Sequence, residues 1–547
     1  MNNEYISGIF RTAINKSFPG CEFELFFDKP KIESHGDLAT NVAMKLAKPL
    51  KMSPIKIAEQ ILANLEYDNN LISAVEIANP GFINLRFTDY FYSKIFSSLL
   101  EKGVDIGRQN EGAGKKVNVE YVSVNPTGLL HFGHARNAAI GDTVANLLEW
   151  MGWDVTREYY FNNAGNQMNK LASSIYSRYR QQLGEPDFPF PEDGYRGEYI
   201  NEIAAEIIEK DGAKFPVIND EVLAYFRKAG EEWCFEKIKA TLDRMNIRQE
   251  VFYNEDSLYK DGKIEQLIED LKARELAYMQ EGALWLALKK LGLNEDRVIV
   301  KSTGEPTYRL PDIAYHLEKF RRGFDLLIDV FGADHIATIP DVLAAVKAFG
   351  YDTDKVKVLI HQFITLTENG QQVKMSKRTG KNYTLDELLD EVGADVVRFF
   401  LLMRGMTTHL EFDLGLAREQ SEKNPVFYLQ YAHARICSIF ENARDRNIEI
   451  KPEADLSLLA HPSELKLIKV LADFEDSAAN ACRKYEPQAL TEYLRELAAA
   501  FHGFYHECRI LDEEDALRQA RFKLIETVRH IIHNGLKILG VSAPVKM

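Results

Sequence analysis

Cysteine is scarce in this chain, and its placement is informative. The five cysteines stand far apart and no two of them form a CxxC pair; they are Cys21, Cys234, Cys437, Cys482 and Cys508. That spacing argues against a zinc knuckle and against a disulfide framework. We therefore expect no protein-bound zinc and no other metal held by the chain, and a reducing compartment, the cytoplasm.

Long apolar runs are also missing. The run at residues 399–403 stops at Arg404, well short of the roughly 20 apolar residues that span a bilayer. The first twenty residues have no basic start followed by an apolar stretch, which is the pattern of a secretory signal. Neither a membrane nor secretion is expected.

An excess of positive charge is the third absence. The chain has 67 Lys and Arg against 82 Asp and Glu, a formal net charge of −15. A polyanionic partner is bound largely through Lys and Arg. Net charge, however, describes solubility and long-range steering, and local patches can still be basic. The composition therefore leaves RNA binding open.

The chain is too long for a single hydrophobic core, and its patterns separate three regions. Residues 1–110 mix helix and strand, residues 111–390 alternate strand with helix, and residues 391–547 are helical almost throughout, with no strand expected. Alternation of strand and helix favours a parallel sheet covered by helices. The predicted fold class is α/β: a Rossmann-type catalytic domain between an α+β N-terminal domain and an all-α C-terminal domain.

The first region contains one helical face and one strand pair. Apolar residues at helical spacing predict a helix that continues in the same style through 55–65; they are Leu38, Val42, Leu46 and Leu50. Residues 75–87 read as strand and turn, with the turn at Asn79-Pro80-Gly81.

The middle region contains two βαβ units. The first comprises a strand at 116–124, a helix at 133–150 and a strand at 154–161. The second comprises a strand at 325–331, a helix between Pro340 and Gly350, and a strand at 356–366. A mostly helical insert of more than one hundred residues separates the units.

The most distinctive local motif is His131-Phe132-Gly133-His134, which lies between the first predicted strand and its helix. A helix start at the carboxyl end of a parallel strand offers free N–H groups to phosphate. Two imidazoles can reach phosphate oxygens while the glycine lets a nucleotide approach the backbone. The same histidines could instead only cap the helix or lie on the surface, because a short motif is weakly specific.

A second motif, KMSKRTGK, begins at Lys374 and follows the strand at 356–366. Its four cations without an acid suit the charge that develops on a triphosphate as pyrophosphate leaves. By itself this cluster could equally be a solvated basic loop.

Together the motifs are far more specific, because each follows a strand of a different βαβ unit, and such loops meet at one crevice. HFGH and KMSKR resemble the HIGH and KMSKS signatures of the class I aminoacyl-tRNA synthetases. Phe132 replaces the usual Ile and Arg378 the last Ser. The resemblance implies ATP as substrate, with catalytic roles for His131, His134 and Lys377. It implies an ATP site that comprises Val124, Asn125, Pro126, Thr127, Gly128, Leu129, Leu130, His131, Phe132, Gly133, His134, His335, Lys374, Met375, Ser376 and Lys377.

Nearly the whole chain is similar to the arginyl-tRNA synthetase family. The segment 124–137, VNPTGLLHFGHARN, resembles that family's form of the first signature. Asp515-Ala516-Leu517-Arg518 spells the motif after which the family's anticodon-binding domain is named, and the last residues are similar to the family's usual ending. At the front, His35-Gly36-Asp37 and the segment 79–84 resemble the family's N-terminal domain.

The resemblance implies contacts with tRNA in both terminal regions. In the first region, Asn79, Phe82 and Asn84 would contact a D-loop base, although Phe82 could equally be a core residue. In the C-terminal region, Tyr428 and Tyr431 lie three apart on one helix face and could stack on anticodon bases, with Met547 adding contact. At least one of the tyrosines could instead be core.

Arginine can also be argued from its chemistry. A guanidinium has five donors in a planar fork, so its pocket needs carboxylates. Glu120, Asp312 and Asp334 fall in suitable places. The resemblance implies that Glu120 and Asn125 hold the α-amino end, that Tyr308 and Asp312 hold the guanidinium, and that Asp334 and His335 line the floor. Asp312 could instead simply complement the start of a helix.

The expected reaction joins L-arginine to tRNA(Arg) through an arginyl-adenylate. The arginine carboxylate attacks the α-phosphorus of ATP, with Mg²⁺ bridging the phosphates, and the arginyl group then passes to the terminal adenosine of tRNA. Arg136 is expected to be structural or to contact the tRNA end. We expect a monomer, with L-arginine, ATP and tRNA(Arg) as partners and no membrane.

Three alternatives remain open. A small-molecule nucleotidyltransferase would keep the HxGH chemistry but would not need the helical C-terminal third. A tRNA-binding paralogue without catalysis would not need both motifs with their histidines and lysines. A synthetase for another amino acid, such as glutamate, would not suit an acidic pocket. Charging assays across the amino acids distinguish these possibilities.

Overall fold

A computed structural model describes residues 2–30, 32–373 and 383–547, which fall into two units. Unit 1 comprises Met1–Ile106, Ile439–Asp473 and Ala499–His530. Unit 2 comprises Gly107–Ser438, Phe474–Ala498 and Ile531–Met547.

The N-terminal part of unit 1 is an antiparallel sheet covered by helices. Its elements are α1 (Asn2–Ser17), β1 (Leu38–Thr40), α2 (Val42–Leu50), α3 (Pro54–Ala63), β2 (Ile72–Ala78), β3 (Phe82–Phe87) and α4 (Asp89–Lys102). The strand order is β1-β3-β2, and both pairings are antiparallel. Apolar residues from α1, α2, α3 and the sheet form one core, with Phe10, Leu46 and Ile83 buried. The α+β prediction for this region is confirmed.

Two local predictions in this region have different outcomes. The predicted turn at Asn79-Pro80-Gly81 is confirmed, because β2 ends at Ala78 and β3 begins at Phe82. The placement of Leu38 on a helix face is wrong, since Leu38 lies in β1 and pairs with Leu85. The backbone of residues 38–40 gains ladder hydrogen bonds in the sheet, and the helix begins only after Asn41.

The described residues of unit 2 form eleven strands. In chain order they are β4 (Lys116–Glu120), β5 (Asp154–Phe161), β6 (Val251–Asn254), β7 (Ala277–Gln280), β8 (Ala283–Leu286), β9 (Arg297–Val300), β10 (Leu326–Gly332), β11 (Val356–His361), β12 (Ile364–Glu368), β13 (Gln371–Gln372) and β14 (Leu410–Asp413). The main sheet has the order β11-β10-β4-β5-β6, and every neighbouring pair is parallel. The predicted Rossmann-type parallel sheet is confirmed.

The remaining helices follow in chain order. From α5 to α15 they are α5 (Phe132–Trp150), α6 (Asn166–Gln182), α7 (Glu198–Asp211), α8 (Asp220–Arg244), α9 (Asp256–Lys260), α10 (Lys263–Ala273), α11 (Arg309–Arg321), α12 (Ile339–Ala348), α13 (Leu385–Val392), α14 (Ala394–Leu402) and α15 (Leu414–Arg418). The C-terminal helices are α16 (Pro425–Asp445), α17 (Pro462–Ala472), α18 (Phe474–Lys484), α19 (Pro487–Glu507) and α20 (Asp515–Leu539). In the described part of the chain, none of the helices has the length and apolar content that crossing a lipid bilayer requires.

The insert and the C-terminal region contain strands that the sequence patterns did not predict. β6 adds a fifth strand to the main sheet, and β7, β8 and β9 form a small antiparallel sheet. β14 contradicts the expectation of no strand after residue 391, because it pairs with β12. Each of these strands has only four residues, and periodicity cannot separate so short a strand from a piece of helix.

The predicted strand at 356–366 is in fact two strands in two different sheets. β11 belongs to the main sheet, whereas β12 pairs with β13 and β14. Gln362 lies at the break, and its carbonyl accepts a hydrogen bond from Arg136 instead of continuing the ladder. The strand at 116–124 is also shorter than predicted and ends at Glu120.

A buried guanidinium joins four elements of unit 2. Arg398 on α14 donates to Asp142 Oδ2 of α5 at 2.6 Å and to the carbonyl oxygens of Met245 and Leu539, each at 2.8 Å. Gly540 follows Leu539 with φ of +69°, and a Cβ there would lie 2.2 Å from the Arg398 guanidinium. Only glycine therefore fits at the end of α20.

We expect Gly540→Ala to destabilise the protein by about 3 kcal/mol or more, because it displaces a buried charge pair. The matched control is Gly262→Ala, at the start of α10, where φ is also +69° and ψ is +15° but a Cβ would meet nothing within 4 Å. The control should be destabilised by only roughly 1–2 kcal/mol, which is the cost of a left-handed backbone for a residue with a Cβ. Urea unfolding followed by circular dichroism measures both, and equal losses would contradict the clash.

Candidate active site

A cavity of about 430 Å³ opens at the carboxyl ends of β4, β5 and β10. That edge is where ligands bind in open α/β sheets. All five residues that the sequence analysis assigned to arginine line this cavity; they are Glu120, Asn125, Tyr308, Asp312 and Asp334. The structure thus brings together side chains that lie more than two hundred positions apart in the chain.

Different elements present these side chains. Glu120 ends β4, and Asn125 lies in the connection from β4 to α5. Tyr308 immediately precedes α11 and is 79% exposed at the cavity, while Asp312 lies in the first turn of that helix. Asp334 lies in the short 3-10 helix Ala333–His335 that follows β10.

A buried lysine organises the acids at one side of the cavity. Lys319 of α11 is fully buried, and its Nζ donates to Glu120 Oε2 at 2.5 Å and to Asp329 Oδ1 at 2.6 Å. Burial by itself would lower the pKa of Lys319, but Asp329 and Glu120 outweigh it and raise that pKa. Lys319 therefore stays charged between two buried carboxylates, and Glu120 has a cationic partner within the protein.

His316, one turn before Lys319 on the same helix, completes this cluster. Its Nε2 lies 3.0 Å from Asp329 Oδ2, and its Nδ1 lies 2.8 Å from the carbonyl oxygen of Asp312. Burial would raise the pKa of Asp329, but the charges of Lys319 and His316 outweigh it and lower that pKa. The sequence analysis missed His316, Lys319 and Asp329. A usable signal existed, because His316 and Lys319 stand four and seven residues after Asp312, on one helix face.

Asp312 differs from these paired acids. Among the described residues, its carboxylate has no hydrogen-bond or ion-pair partner, although the carboxylate faces the cavity. Burial raises the pKa of Asp312 to about 7; the His316 charge opposes this rise, and the charges of Glu120, Glu255 and Asp329 reinforce it. Among the described residues, no cation therefore contacts the Asp312 carboxylate directly, although it lines the cavity. Asp312 lies in the first turn of α11, so the alternative that it complements the start of a helix also fits its position.

Glu255 is a second acid that the sequence analysis missed. It lines the same cavity and accepts hydrogen bonds from Tyr160 OH and Asn162 Nδ2, each at 2.7 Å. Burial raises the pKa of Glu255. Asn162 also donates its backbone N–H to Asn125 Oδ1 at 2.9 Å. Asn162 directly follows β5, so the rule that sites lie at the carboxyl ends of strands could have found it.

The first sequence motif begins α5. His131 is the N-cap: its Nδ1 accepts a hydrogen bond from the Gly133 N–H at 3.1 Å, and His134 Nδ1 accepts from the His131 N–H at 3.3 Å. The two ring centroids are 3.6 Å apart. Burial, reinforced by His131, lowers the pKa of His134 to about 3, and burial lowers the pKa of His131. Both imidazoles are therefore neutral near pH 7, and they cap the helix as the structural alternative expected.

The start of the first motif is paired with residues that follow the second motif. His131 forms a β-bridge with Thr384, and the Leu385 N–H donates to the Leu130 carbonyl oxygen at 2.8 Å. Upstream, the Val124 carbonyl accepts from Tyr159 OH at 2.6 Å and the Thr127 carbonyl from Tyr199 OH at 2.7 Å. The second motif, which includes Lys374, Met375, Ser376, Lys377 and Arg378, lies outside the described residues, as does the His335 side chain.

Arg136, two residues after the first motif, is structural, which confirms one of the two roles expected for it. It is buried and donates to three carbonyl oxygens, those of Gln362, Gly405 and Thr408, each at 2.9 Å. Burial lowers its pKa to about 10. Arg136 thereby ties the start of α5 to the break between β11 and β12.

The residues assigned to tRNA occupy varied environments. In unit 1, Asn79 is exposed, Phe82 is half-buried and Asn84 is only 7% exposed. In unit 2, Tyr428 and Tyr431 of α16 are half-buried, and Met547 is exposed. Tyr431 stacks on Phe427, and the Arg435 guanidinium lies 4.4 Å from the Tyr431 ring. The two tyrosines are therefore neither wholly core nor fully exposed.

Three family models match this chain. The model of the catalytic domain of "tRNA synthetases class I (R)" matches residues 95–399, which include the parallel sheet, the HFGH motif and the cavity. The "Arginyl tRNA synthetase N terminal domain" matches residues 4–87, and the "DALR anticodon binding domain" matches residues 429–547. Fold and motif together define the chain as a class I aminoacyl-tRNA synthetase.

Similar proteins with known names show to which family within this class the chain belongs. An arginine–tRNA ligase of Salinibacter ruber is 47% identical over 544 residues, covering 96% of each chain. An arginine–tRNA ligase of Desulfotalea psychrophila is 46% identical and covers 95% of this chain and 94% of its own. The arginyl-tRNA synthetase structure of Thermus thermophilus superimposes with a TM-score of 0.80 over the full length of both chains at 22% identity, a likeness of fold. The chain belongs to the arginyl-tRNA synthetase family.

We expect Lys319→Met to destabilise the protein by about 3–5 kcal/mol, because Glu120 and Asp329 would keep buried charges without their partner. Lys301→Met is the matched control: Lys301 pairs with Glu305 at 3.1 Å, but both side chains are more than half exposed. That exposed pair should contribute less than about 1 kcal/mol. Urea unfolding of both variants checks the difference, and a loss for Lys319→Met as small as the control's would refute the buried pairing.

Proposed function

We propose that this chain ligates L-arginine to the 3′-terminal adenosine of tRNA(Arg) through an arginyl-adenylate, for protein synthesis. One observation supports arginine as the amino acid: the cavity is lined by acids, and the Asp312 carboxylate has no partner among the described residues. The family membership supports the reaction. A synthetase for glutamate is disfavoured because these acids would repel a second carboxylate.

The guanidinium end of arginine suits the Asp312 side of the cavity. A guanidinium keeps its charge and presents parallel donors that a carboxylate accepts two at a time. In the proposed pose, Asp312 accepts that pair of hydrogen bonds and Glu255 adds a second negative charge. The exposed Tyr308 ring at the cavity would then cover the bound side chain.

The α-amino end would face the opposite wall. Glu120 and Asn125 are proposed to hold the ammonium, with Glu120 fixed in place by its hydrogen bond from Lys319. Asp334 and His335 would line the floor between amino acid and nucleotide. The α-carboxylate would then point toward the start of α5, where the ATP phosphates are proposed to bind.

ATP would bind along residues 124–134 and the second motif. In the first step, a carboxylate oxygen of arginine bonds to the α-phosphorus while the bond to the bridging oxygen of pyrophosphate breaks. His131 and His134, neutral near pH 7, would donate hydrogen bonds to phosphate, and Lys377 would stabilise the leaving charge beside Lys374, Met375 and Ser376. Mg²⁺ would arrive with ATP as part of the substrate. In the second step, a ribose hydroxyl of tRNA displaces AMP.

Contacts with tRNA are proposed at two places, and each is supported by a family model. In the N-terminal region, taken as residues 1–110, Asn79, Phe82 and Asn84 would recognise an unpaired base. In the C-terminal region, taken as 391–547, Tyr428, Tyr431 and Met547 would contact the anticodon. The catalytic region between them is taken as 111–390. We further propose that the enzyme is a cytoplasmic monomer.

Charging assays test this function directly. The purified chain, ATP, Mg²⁺ and total tRNA are incubated with each of the twenty amino acids in turn, and acid-precipitable label is counted. We expect charging with arginine alone, on tRNA(Arg) alone. Charging with glutamate would contradict the assigned amino acid. Adenylate formation without transfer to any tRNA would favour a small-molecule nucleotidyltransferase instead.

Asp312 should make arginine binding depend on pH. With its pKa at about 7 in the empty cavity, the carboxyl must lose a proton to bind a guanidinium at lower pH. The Kd for arginine should therefore be flat above about pH 8 and rise toward tenfold per pH unit below about pH 6. Asp312→Asn should weaken binding about 100-fold and abolish this dependence.

Isothermal titration calorimetry with arginine, at several pH values, measures this effect. Asp354→Asn serves as the control, because Asp354 is exposed and does not line the cavity. It should leave both affinity and pH dependence unchanged. A pH dependence that persists in Asp312→Asn would assign the titration to another group, such as Glu255 or His316.

A further inference from the structure

Two consecutive residues in the cavity wall have an unusual backbone. Val122 has φ of +70° and Ser123 has φ of +47°, immediately after the end of β4. Positive φ is uncommon for any residue other than glycine, and for a β-branched residue such as valine it is a clear outlier. Such a conformation persists only where its surroundings hold it in place.

The side-chain amide of Asn137 holds this segment from α5. Its Oδ1 accepts a hydrogen bond from the Val122 N–H at 2.6 Å, and its Nδ2 donates to the Val330 carbonyl oxygen at 2.7 Å. Val122 follows β4 and Val330 belongs to β10, which are neighbouring strands of the main sheet. One amide thus joins the ends of two neighbouring strands that line the cavity.

The segment that Asn137 holds determines where polar groups face the cavity. Ser123 Oγ donates to Glu120 Oε1 at 3.0 Å and accepts from the Tyr160 N–H at 3.1 Å. If Val122 returned to negative φ, Ser123 would turn away and that oxygen of Glu120 would lose its donor. Asn137 itself also lines the cavity.

We propose that Asn137 is a positioning residue for the amino-acid substrate: it locks the strained Val122–Ser123 backbone and thereby orients Glu120. This role rests on the proposed function, in which Glu120 holds the α-amino group of arginine. Asn137 acts through the loop and Glu120, so its loss should weaken amino-acid binding and leave ATP binding nearly unchanged.

The test compares Asn137→Ala with Asn146→Ala. Asn146 lies nine residues later on the same helix, is also half-buried, and uses its amide in a similar way, with the Ile538 carbonyl, Asp142 and Arg157 as partners. It does not line the cavity. ATP–pyrophosphate exchange is measured with tRNA(Arg) present, varying arginine and ATP separately, together with the thermal midpoint of each variant.

We expect Asn137→Ala to raise the KM for arginine about tenfold or more and to leave the KM for ATP within about twofold. Asn146→Ala should change neither KM, although both variants lower the thermal midpoint. An arginine KM within twofold of the parent for Asn137→Ala would overturn the proposal. An equal rise of the arginine KM in Asn146→Ala would also overturn the proposal, because the effect would then reflect a general loss of stability.

A double-mutant cycle adds a result that simple loss of packing does not produce. Glycine adopts positive φ readily, so Val122→Gly removes the strain that Asn137 opposes. In that background, Asn137→Ala should raise the arginine KM at least threefold less than in the parent. An undiminished effect would refute the locking role. Asn137→Ser replaces Asn137→Ala if the latter does not fold, and should also raise the arginine KM, because serine is too short to reach both strands.

Exchange measured on the parent enzyme distinguishes failure of this proposal from failure of the proposed function. If the parent shows no arginine-dependent exchange with tRNA present, the proposed function fails before any variant is compared. If the parent exchanges normally and the variants behave alike, only the role of Asn137 fails.

Discussion

The ion cluster of Lys319 with Glu120 and Asp329 is the interaction on which the candidate site depends. It joins α11 to two neighbouring strands, β4 and β10, beneath the cavity. Burying three charges is favourable only when each has partners at close range, and here His316 and Ser123 supply the remaining hydrogen bonds. The cluster gives Glu120 a cationic partner and holds α11 in the orientation that presents Asp312.

The electrostatics of the cavity follow from this pairing. Lys319 and His316 compensate Glu120 and Asp329, whereas Glu255 has neutral donors and Asp312 has no partner among the described residues. The cavity therefore has an excess of negative charge, concentrated away from the buried lysine. A ligand that carries a permanent positive charge at one end and an ammonium at the other matches this distribution. That match, together with the family, is the physical basis for arginine.

Helix α5 connects the HFGH motif to the cavity wall and to the end of α20. Its first turn carries His131 and His134, its second turn carries Asn137, and Asp142 receives the Arg398 guanidinium further along. Arg136 ties the same helix to the break between β11 and β12. The HFGH motif, the cavity wall and the end of α20 are thus all attached to one helix of 19 residues.

The sequence was enough to predict the fold class and the two motifs from local periodicity and short runs of residues, and its resemblance to a family supplied five residues of the cavity. It did not reveal Asp329 and Glu255, whose roles exist only once α11, β10 and β6 are packed together; the helical spacing from Asp312 could have pointed to Lys319, but not to its partners. It also missed the short strands β6 and β14, which have too few residues for a periodic pattern and are stabilised by their neighbours. Tertiary packing alone decided which acids are paired and which carboxylate remains available to a ligand, since burial and distance set the cost of each charge.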